Sequence, residues 1–377
     1  MRSGHFVKQA SGYRAFIPAP LPPDPPIQMD SEMVALLSHA DLALGRLDGA
    51  TLILPNPNLF VAMFVRQEAV LSSQIEGTQS TLEDVLVFEI DEAGEDQPKD
   101  IEEVVNYVRA INFGLERLEQ LPMSLRLIRE IHSELLMGGR GGHLTPGEFR
   151  RSQNWIGPAG STLTNATFIP PPVPEMYEAL GNLESFLHQS TYPVLIQCGL
   201  AHAQFETIHP FLDRNGRVGR LLITFMLCER QVLMRPLLYL SYYFKLHRME
   251  YYDRLSAVRT QGDWEGWLKF FLRGVLEVSH EALDRAKAIL ELRESHRQIL
   301  ITHLDHQASR ALQLLEVLFT QPIVTVRLVE KAIQCSYVTA NKIIKQFEEV
   351  GLLQKNNGAQ RNRRFRYDAY LRLFEAE

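Results

Sequence analysis

The chain has 377 residues, 45% of them hydrophobic and 22% charged, and a formal net charge of −6 at pH 7. These values are ordinary for a folded soluble protein, and they exclude a collagen-like, coiled-coil or disordered chain for most of the sequence. The best apolar run, Leu221 to Cys228, is far shorter than the roughly 18 residues that cross a bilayer. We therefore expect no membrane partner. The lack of a signal-peptide pattern and the three widely spaced cysteines predict a cytoplasmic location.

The first 110 residues are predicted to form an N-terminal unit of an extended arm followed by helices. Six prolines before Asp30 predict a segment that is extended over the surface rather than helical. Apolar residues at helical spacing then predict four helices, over residues 31–47, 59–73, 81–90 and 101–119, with a turn at Pro55 and Pro57. The acidic stretch from Glu89 to Glu103 is interpreted as a solvated loop.

Residues 111–300 are predicted to be nearly all helical, with one β-like interruption. A helix over 124–136 ends at a glycine cluster, Gly138 to Gly142, which we interpret as a flexible connection. Aromatic and β-branched residues broken by glycine and proline between Gly147 and Pro174 predict a short β-hairpin flap. Helical periods resume over 176–187, 194–207, 216–230, 249–259 and 264–300. The fold class is therefore mainly α.

Residues 307–377 differ in character from the rest of the chain. Three short helical runs, 309–319, 326–333 and 337–350, precede a basic turn and a β-like ending near Phe365, which is the order of a winged helix-turn-helix domain. This part carries 11 Lys or Arg and 7 Asp or Glu, a net of +4, which leaves −10 for the remainder. DNA is therefore a candidate partner, through Lys342 and Lys345 on the candidate recognition helix 337–349. The candidate wing adds four arginines, Arg361, Arg363, Arg364 and Arg366. A protein partner or dimerisation through this domain stays open.

The twelve residues from His209 to Arg220, HPFLDRNGRVGR, hold an imidazole and a carboxylate close together. His209 comes directly after a predicted helix and, titrating near neutral pH, can accept a proton from a hydroxyl nucleophile. Asp213 supplies a hard oxygen of the kind that Mg²⁺ binds together with phosphates. These two residues supply a base and a metal ligand.

The same twelve residues also predict an anion site. A new helix begins near Asn215 and Gly216, where free backbone N–H groups and the helix dipole favour phosphate. Arg217 and Arg220 can each donate two hydrogen bonds to phosphate oxygens. Each residue alone would more often be structural, but six such residues within twelve positions indicate phosphoryl or nucleotidyl transfer.

This segment resembles the Fic motif, HPFx(D/E)GNGRxxR, of the Fic/Doc family, and it departs from that motif at Arg214, where the family most often has glycine. The resemblance implies a Fic-type helical bundle over 111–300 with a β-hairpin flap that aligns a target segment. The segment that carries Tyr251 and Tyr252 resembles the helix that closes over adenine in the family. The nucleotide-binding residues implied by the resemblance are Arg214, Asn215, Gly216, Arg217, Val218, Gly219, Arg220, Tyr251 and Tyr252.

A second short pattern, Ser72-Ser-Gln-Ile-Glu76-Gly77, fits the family's inhibitory pattern (S/T)xxxE(G/N). The resemblance implies that Glu76 pairs with Arg220 and keeps the γ-phosphate of ATP from its productive place. A carboxylate can compete with a phosphate for one guanidinium group, so this role is physically sound. Without the Fic motif on the same chain, Glu76 would be interpreted as a solvated helix residue.

The function implied by the resemblance is that of a protein adenylyltransferase. It would use ATP and Mg²⁺ to transfer AMP to a Ser, Thr or Tyr hydroxyl of a target protein, itself included, with His209 as the base, Asp213 holding Mg²⁺ and Glu76 restraining the reaction. The same apparatus can also remove AMP from a target. Two alternatives stay open: a DNA-binding regulator with a Fic-like sensor body, and a Fic enzyme that uses another donor. Because relatives often dimerise, a homodimer is a further candidate.

Overall fold

The computed structural model describes residues 2–52, 57–90, 100–138, 145–158, 160–304, 308–355 and 363–375. Within these ranges the chain is mainly helical, and its five short strands lie near the two ends of the chain. No helix in the described part is long and apolar enough to cross a membrane. Several features predicted from the sequence lie outside the described residues: Pro55, most of the acidic stretch (91–99), most of the glycine cluster (139–142) and Arg361.

The N-terminal arm is more ordered than the sequence predicted. Strands β1 (Gly4–Lys8) and β2 (Arg14–Pro18) pair as an antiparallel hairpin, with Phe6 opposite Phe16. The backbone N–H of Phe16 donates to the carbonyl of Ile169, 2.9 Å away, so the hairpin is attached to the flap region. The proline-rich chain that follows contains no helix up to Asp30, as predicted.

Five helices follow the arm: α1 (Ser31–Leu52), α2 (Pro57–Ile75), α3 (Leu82–Phe88), α4 (Ile101–Leu118) and α5 (Leu125–Leu135). All five were predicted, with ends that differ by a few residues. Thr81 and Ser124 cap the N-termini of α3 and α5 with their hydroxyl groups, as their types favour. Pro57, predicted to lie in a turn, is instead the first residue of α2, a position that tolerates the missing N–H of proline.

Six further helices complete the main body: α6 (Val173–Leu187), α7 (Val194–Ile208), α8 (Asn215–Glu229), α9 (Ser241–Leu246), α10 (Arg248–Gln261) and α11 (Trp264–Leu304). Helix α9 was not predicted, because six residues are too few to show a helical period. Every residue of α7 from Leu195 to Ile208 is buried, so α7 is the central helix, and α8 packs beside it. The other helices of the main body therefore surround α7, the helix that comes directly before His209.

The predicted β-hairpin flap between Gly147 and Pro174 forms no extended strands in its described residues. A single antiparallel bridge joins Ile156 and Phe168, through hydrogen bonds of 2.8 and 3.0 Å between their backbones. Glycine and proline on both sides of the bridge prevent the pairing from continuing. The flap is a loop closed by one bridge, and this corrects the prediction.

The C-terminal part contains α12 (Ala308–Thr320), β3 (Ile323–Thr325), α13 (Val326–Ala332), α14 (Tyr337–Glu349), β4 (Gln354–Lys355), β5 (Arg364–Arg366) and α15 (Asp368–Leu371). Its sheet has the order β3-β5-β4 and is antiparallel. The three helices and the two last strands were predicted, whereas β3 and α15 were not. This part packs on α2, where the rings of Phe374 and Phe64 lie 5.5 Å apart between centroids.

Candidate active site

His209 lies directly after the last residue of α7 and turns the chain out of the helix. Its backbone is left-handed, with φ 49° and ψ 60°, and its N–H still donates to Phe205, at 2.9 Å. Two flap residues, Arg150 and Asn154, donate to its carbonyl oxygen, each at 3.1 Å. The Nδ1 atom of the ring is buried and has no hydrogen-bond partner among the described residues. Hydrogen bonds therefore hold the backbone of His209 in place, while Nδ1 of its imidazole makes no hydrogen bond to the described residues.

The imidazole of His209 is neutral at pH 7. Its pKa is lowered to about 3, chiefly by burial and also by the positive charges of Arg259 and Arg150. A neutral imidazole has a lone pair with which to accept a proton. His209 is thus present in the form that a general base requires.

The turn between α7 and α8 is held by its own side chains. The side-chain amide of Asn215 accepts from the backbone N–H of Phe211 with Oδ1 and donates to the carbonyl of Phe211 with Nδ2, at 2.8 Å each. Oδ1 of Asp213 accepts from the N–H of Arg214 at 2.8 Å. Arg214 has a left-handed backbone, with φ 62°, a region that glycine enters at least cost. Asn215 therefore shapes the turn with its side chain, and α8 begins with its N–H groups directed out of the helix end.

Glu76 lies against the first turn of α8. A Cβ atom placed on Gly216 would collide with Oε1 of Glu76, so only glycine allows this approach. The same oxygen accepts from Nη2 of Arg220 at 2.7 Å. Ser72, one turn earlier on α2, accepts from Nε of Arg220 with its hydroxyl and from Nη2 with its carbonyl. The ion pair that the resemblance implied is present, and Arg220 is enclosed by α2.

Glu103 is a site residue that the sequence analysis missed. Its Oε2 atom accepts from Nη2 of Arg217 at 2.8 Å and from Nη1 of Arg214 at 3.1 Å. The interpretation of Glu103 as part of a solvated loop is therefore wrong, because α4 begins at Ile101 and turns this side chain inward. The signal was present: Glu103 continues, at helical spacing, the buried face that contains Tyr107.

The second turn of α8 faces the interior. Val218 packs into the core, and the carbonyl of Gly219 accepts a hydrogen bond from Nδ1 of His202 at 2.8 Å. Since a carbonyl can only accept, Nδ1 carries the proton and Nε2 accepts from the hydroxyl of Tyr251, at 2.9 Å. Tyr251 is thus buried as a support for α8. Tyr252, in contrast, is 40% exposed.

Two buried arginines that the sequence did not reveal connect the flap to the end of α7. Arg259 donates to the hydroxyl of Thr207 at 3.2 Å and to the carbonyl of Glu206 at 3.0 Å, and its guanidinium lies 4.2 Å from the ring centre of Phe168. Arg150 is fully buried, and its Nε donates the hydrogen bond to the carbonyl of His209. Together they hold the flap against the segment that carries the imidazole.

Asp213 can supply the one protein carboxylate that a Mg²⁺ ion bound to phosphates needs. The side chain is 49% exposed; its Oδ1 accepts from the Arg214 N–H, and its Oδ2 lies 3.8 Å from the Arg214 Nε. Burial raises the pKa of this carboxyl, and Glu103 and Glu76 act in the same direction. No cluster of three or more His, Cys, Asp or Glu in the described part of the chain can hold a metal. One carboxylate together with donor phosphates suffices for Mg²⁺.

Two family models match the chain. The one described as Fic/DOC family N-terminal covers residues 34–116, and the one described as Fic/DOC family covers residues 122–227. Together they span about half of the sequence, and the second includes the whole of the segment from His209 to Arg220.

Curated relatives match a little under half of the chain. "Protein adenylyltransferase Fic" of Aedes aegypti is 31% identical over 169 residues, which are 43% of this chain and 29% of the relative. The protein of the same name in Drosophila melanogaster is 28% identical over 183 residues, 47% of this chain and 32% of the relative. The match thus spans about a third of the length of these relatives.

Solved structures show the fold over a larger part of the chain. A Fic family protein from Desulfovibrio desulfuricans G20 superposes with a TM-score of 0.59 at 20% identity, over 91% of this chain and 97% of that one. A Fic domain containing signaling protein from Bacteroides thetaiotaomicron gives 0.51 at 17% identity, over 68% of this chain and 97% of that one. The solved structures thus show the fold, and the two family models together with the curated relatives show that the chain belongs to the Fic/DOC family.

Proposed function

We propose that the protein is an adenylyltransferase that transfers AMP from ATP to a hydroxyl group of a target protein. The observation that carries the proposal is the position of His209, whose ring nitrogen Nδ1 has no partner among the described residues and which lies at the end of α7, just before the N-terminus of α8 and its buried arginines. The Fic/DOC family model covers the segment that contains these groups, and curated relatives of part of this chain are named protein adenylyltransferase.

The residues act as follows. His209 takes the proton of a Ser, Thr or Tyr hydroxyl, whose oxygen attacks the α-phosphorus of ATP while the bond to the β-phosphate breaks and pyrophosphate leaves. The N–H groups at the start of α8, with Arg217 and Arg220, stabilise the negative charge of the phosphates. Asp213 would hold Mg²⁺, which neutralises phosphate charge when bound. Tyr252 offers an exposed ring to the adenine of ATP, and the buried Tyr251 supports Tyr252 from the core.

Autoinhibition by Glu76 is part of the proposal. The carboxylate already binds Nη2 of Arg220 and covers Gly216, so a phosphate group that needs either of them must first displace it. The substitution Glu76→Gly would free both. The same restrained site can also catalyse the removal of AMP when a water molecule takes the place of the hydroxyl nucleophile.

Intact-mass spectrometry after incubation with ATP and Mg²⁺ tests the proposal, because self-modification needs no known target. We expect Glu76→Gly to gain the mass of AMP and the wild type to gain little, because its Arg220 is occupied. The double variant Glu76→Gly/His209→Ala should gain none, because it lacks the base. Glu119→Gly, the same substitution at the exposed C-terminal cap of α4, is the control and should behave as the wild type. If neither the wild type nor Glu76→Gly adds AMP to any protein, the assignment fails.

A second candidate function rests on the C-terminal part, which we propose to be a winged helix-turn-helix domain over residues 307–377 that binds DNA. The outer face of α14 is open: Lys342 and Lys345 are exposed, and Val338 is 78% exposed. Arg366, however, forms ion pairs with three carboxylates, those of Glu83, Asp368 and Glu375. The recognition helix is therefore better placed than β5 to contact phosphates.

We also propose that the chain is divided as its sequence suggests, into an N-terminal unit over 1–110, a catalytic domain over 111–300 and the C-terminal domain. The two carboxylates that meet the arginines of α8, Glu76 and Glu103, both come from the first unit. The N-terminal unit would therefore restrain the catalytic domain.

A further inference from the structure

Three arginines at the start of α8 are buried, and each meets a carboxylate from the N-terminal helices. The exposed fractions of the Arg214, Arg217 and Arg220 side chains are 3%, 5% and 2%. Arg220 pairs with Glu76 on one side of the helix, whereas Arg214 and Arg217 share one oxygen of Glu103. The inhibitory pattern of the family accounts for the first pair and leaves the second unexplained.

The Glu103 cluster contains hydrogen-bond donors without acceptors. Nε and Nη1 of Arg217 and Nε of Arg214 are buried and have no hydrogen-bond partner within the described ranges. Buried donors without partners destabilise a protein, and one carboxylate oxygen cannot satisfy two guanidinium groups. A terminal phosphate group offers three strong acceptors and can take several of these bonds at once. The cluster is therefore better matched to a phosphate than to the carboxylate that it contains.

The backbone supports the same interpretation. Arg214 has a left-handed conformation, which side chains other than glycine enter at a free-energy cost. The resemblance to the Fic motif places glycine at this position. An arginine here accepts that cost and adds a second guanidinium group beside Arg217, directed at the same oxygen of Glu103.

Arg214 and Arg217 are two of the nucleotide-binding residues that the resemblance implies, and we propose that Glu103 fills the phosphate subsite that they form until a donor phosphate displaces it. Glu103 is then a second restraint on the enzyme, separate from Glu76 and acting on different arginines. The ligand class is a di- or triphosphate. The inference rests on the proposed function for the identity of the donor, but the subsite itself is defined by phosphate binding.

The two restraints are physically connected. Asp100, the residue before α4, accepts from the hydroxyl of Ser80 at 2.6 Å and from the N–H of Gln79 at 2.5 Å. Ser80 lies four residues after Glu76, and Glu103 lies three residues after Asp100. These hydrogen bonds therefore join the segment that follows Glu76 to the start of the helix that carries Glu103. We expect the effects of Glu76→Gly and Glu103→Gln on phosphate binding to be non-additive.

Titration calorimetry with inorganic pyrophosphate as the probe, on the full chain, tests the subsite without any catalytic turnover. Glu103→Gln keeps the shape of the side chain and removes its charge, so it should bind pyrophosphate about tenfold more tightly than the wild type, the value of about one charge-assisted hydrogen bond. The matched control is Glu102→Gln, which makes the same change of charge on the exposed neighbour and should leave the affinity unchanged. Equal affinities in Glu103→Gln and the wild type would overturn the proposal.

A second variant covers the case in which Glu103→Gln does not fold. Arg214→Gly removes one guanidinium group and the left-handed strain together, so it should melt normally but bind pyrophosphate more weakly than the wild type. Binding as tight as that of the wild type would contradict the subsite.

The two proposals fail separately. If Glu76→Gly adds AMP while Glu103→Gln leaves phosphate affinity unchanged, the adenylyltransferase stands and the subsite falls. If Glu103→Gln tightens pyrophosphate binding while no variant adds AMP, the subsite stands and the proposed reaction falls.

Discussion

Glu68 carries a carboxyl group that is fully enclosed beside the restrained arginine. It lies one turn before Ser72 on α2 and accepts hydrogen bonds from the hydroxyl of Tyr107 at 3.1 Å and from the N–H of Ser241 at 3.1 Å. Burial raises its pKa to about 7, although the hydrogen bonds and the charge of Arg220 oppose the shift. Near neutral pH this carboxyl is therefore poised between its two protonation states.

The raised pKa of Glu68 predicts a pH-dependent effect of Glu68→Gln on stability. Between the ordinary pKa of 4.5 and the folded value of about 7, the unfolded chain loses this proton while the folded chain keeps it. The contribution of Glu68 to stability therefore falls as the pH rises through this window, whereas glutamine does not titrate. Relative to the wild type, Glu68→Gln should therefore be more stable at pH 8 than at pH 5, by up to about 3 kcal/mol in the free energy of unfolding.

Urea unfolding at the two pH values measures this difference. Only the trend with pH is used, because the amide also changes the hydrogen bonds to Tyr107 and Ser241. Glu178→Gln, on an exposed face of α6, is the control and should show no trend. A constant difference between Glu68→Gln and the wild type would show that the carboxyl is not protonated in the folded protein.

At the same scale, the sequence revealed the residue types of the site better than their partners. His209, Asp213 and Gly216 are close in sequence, so their spacing alone placed them on one turn. Glu103 contacts arginines more than 100 residues away, and Arg259 reaches the flap from α10. Such contacts depend on how the helices pack, which local periodicity does not determine.

The position of Glu103 depends on how closely α4 and α8 approach each other. They cross at Gly114 on α4, where an added Cβ would fall 2.7 Å from Cε1 of the Phe225 ring on α8 and closer still to its tip. Phe225 is fully buried and cannot move aside without disturbing the core. This glycine therefore allows the spacing at which Glu103 reaches Arg214 and Arg217.

Gly114→Ala should therefore destabilise the protein in spite of the better helix propensity of alanine. Overpacking of a filled core costs about 1–3 kcal/mol, more than the gain of about 1 kcal/mol from replacing glycine in a helix. Gly181→Ala on α6 is the matched control, because a Cβ there meets nothing within 4 Å. Thermal melting should show a lower midpoint for Gly114→Ala and an unchanged or higher one for Gly181→Ala. A Gly114→Ala variant as stable as the wild type would refute the close contact.

Helices were predicted more reliably than strands, and the reason is physical. Long amphipathic segments such as α4 and α5 repeat their pattern over several turns, so their existence was clear from the sequence. The hairpin β1–β2 has only five residues in each strand, and the flap has a single bridge. Pairing of this kind depends on contacts with other parts of the chain, such as the bond between Phe16 and Ile169.

At the scale of the whole molecule, charge is divided between two parts that touch. Residues 307–377 carry a net of +4 and the remainder −10. Part of this complementarity is used at the contact itself, where Nη1 of Arg366 lies 3.4 Å from Oε2 of Glu83 in the first turn of α3. The C-terminal part also packs on α2, the helix that carries Ser72, through Phe374 and the side chain of Gln67. Lys342 and Lys345 of α14 are among the basic residues of the C-terminal part that stay exposed.

DNA binding by the C-terminal part would show in its dependence on salt. Each lysine that contacts a phosphate releases a counterion, so the slope of log affinity against log salt falls by about 0.9 for every contact removed. We expect the full chain to bind duplex DNA at low salt, and Lys342→Gln/Lys345→Gln to lower the slope by about 1.8. Lys287→Gln, an exposed lysine on α11, should leave the slope unchanged, because it lies on the acidic body. Since Arg366 is already paired with carboxylates, Arg366→Gln should change the slope less than either lysine does. Fluorescence anisotropy at several salt concentrations measures all four slopes, and no binding of the wild type at low salt would exclude DNA as the partner of α14.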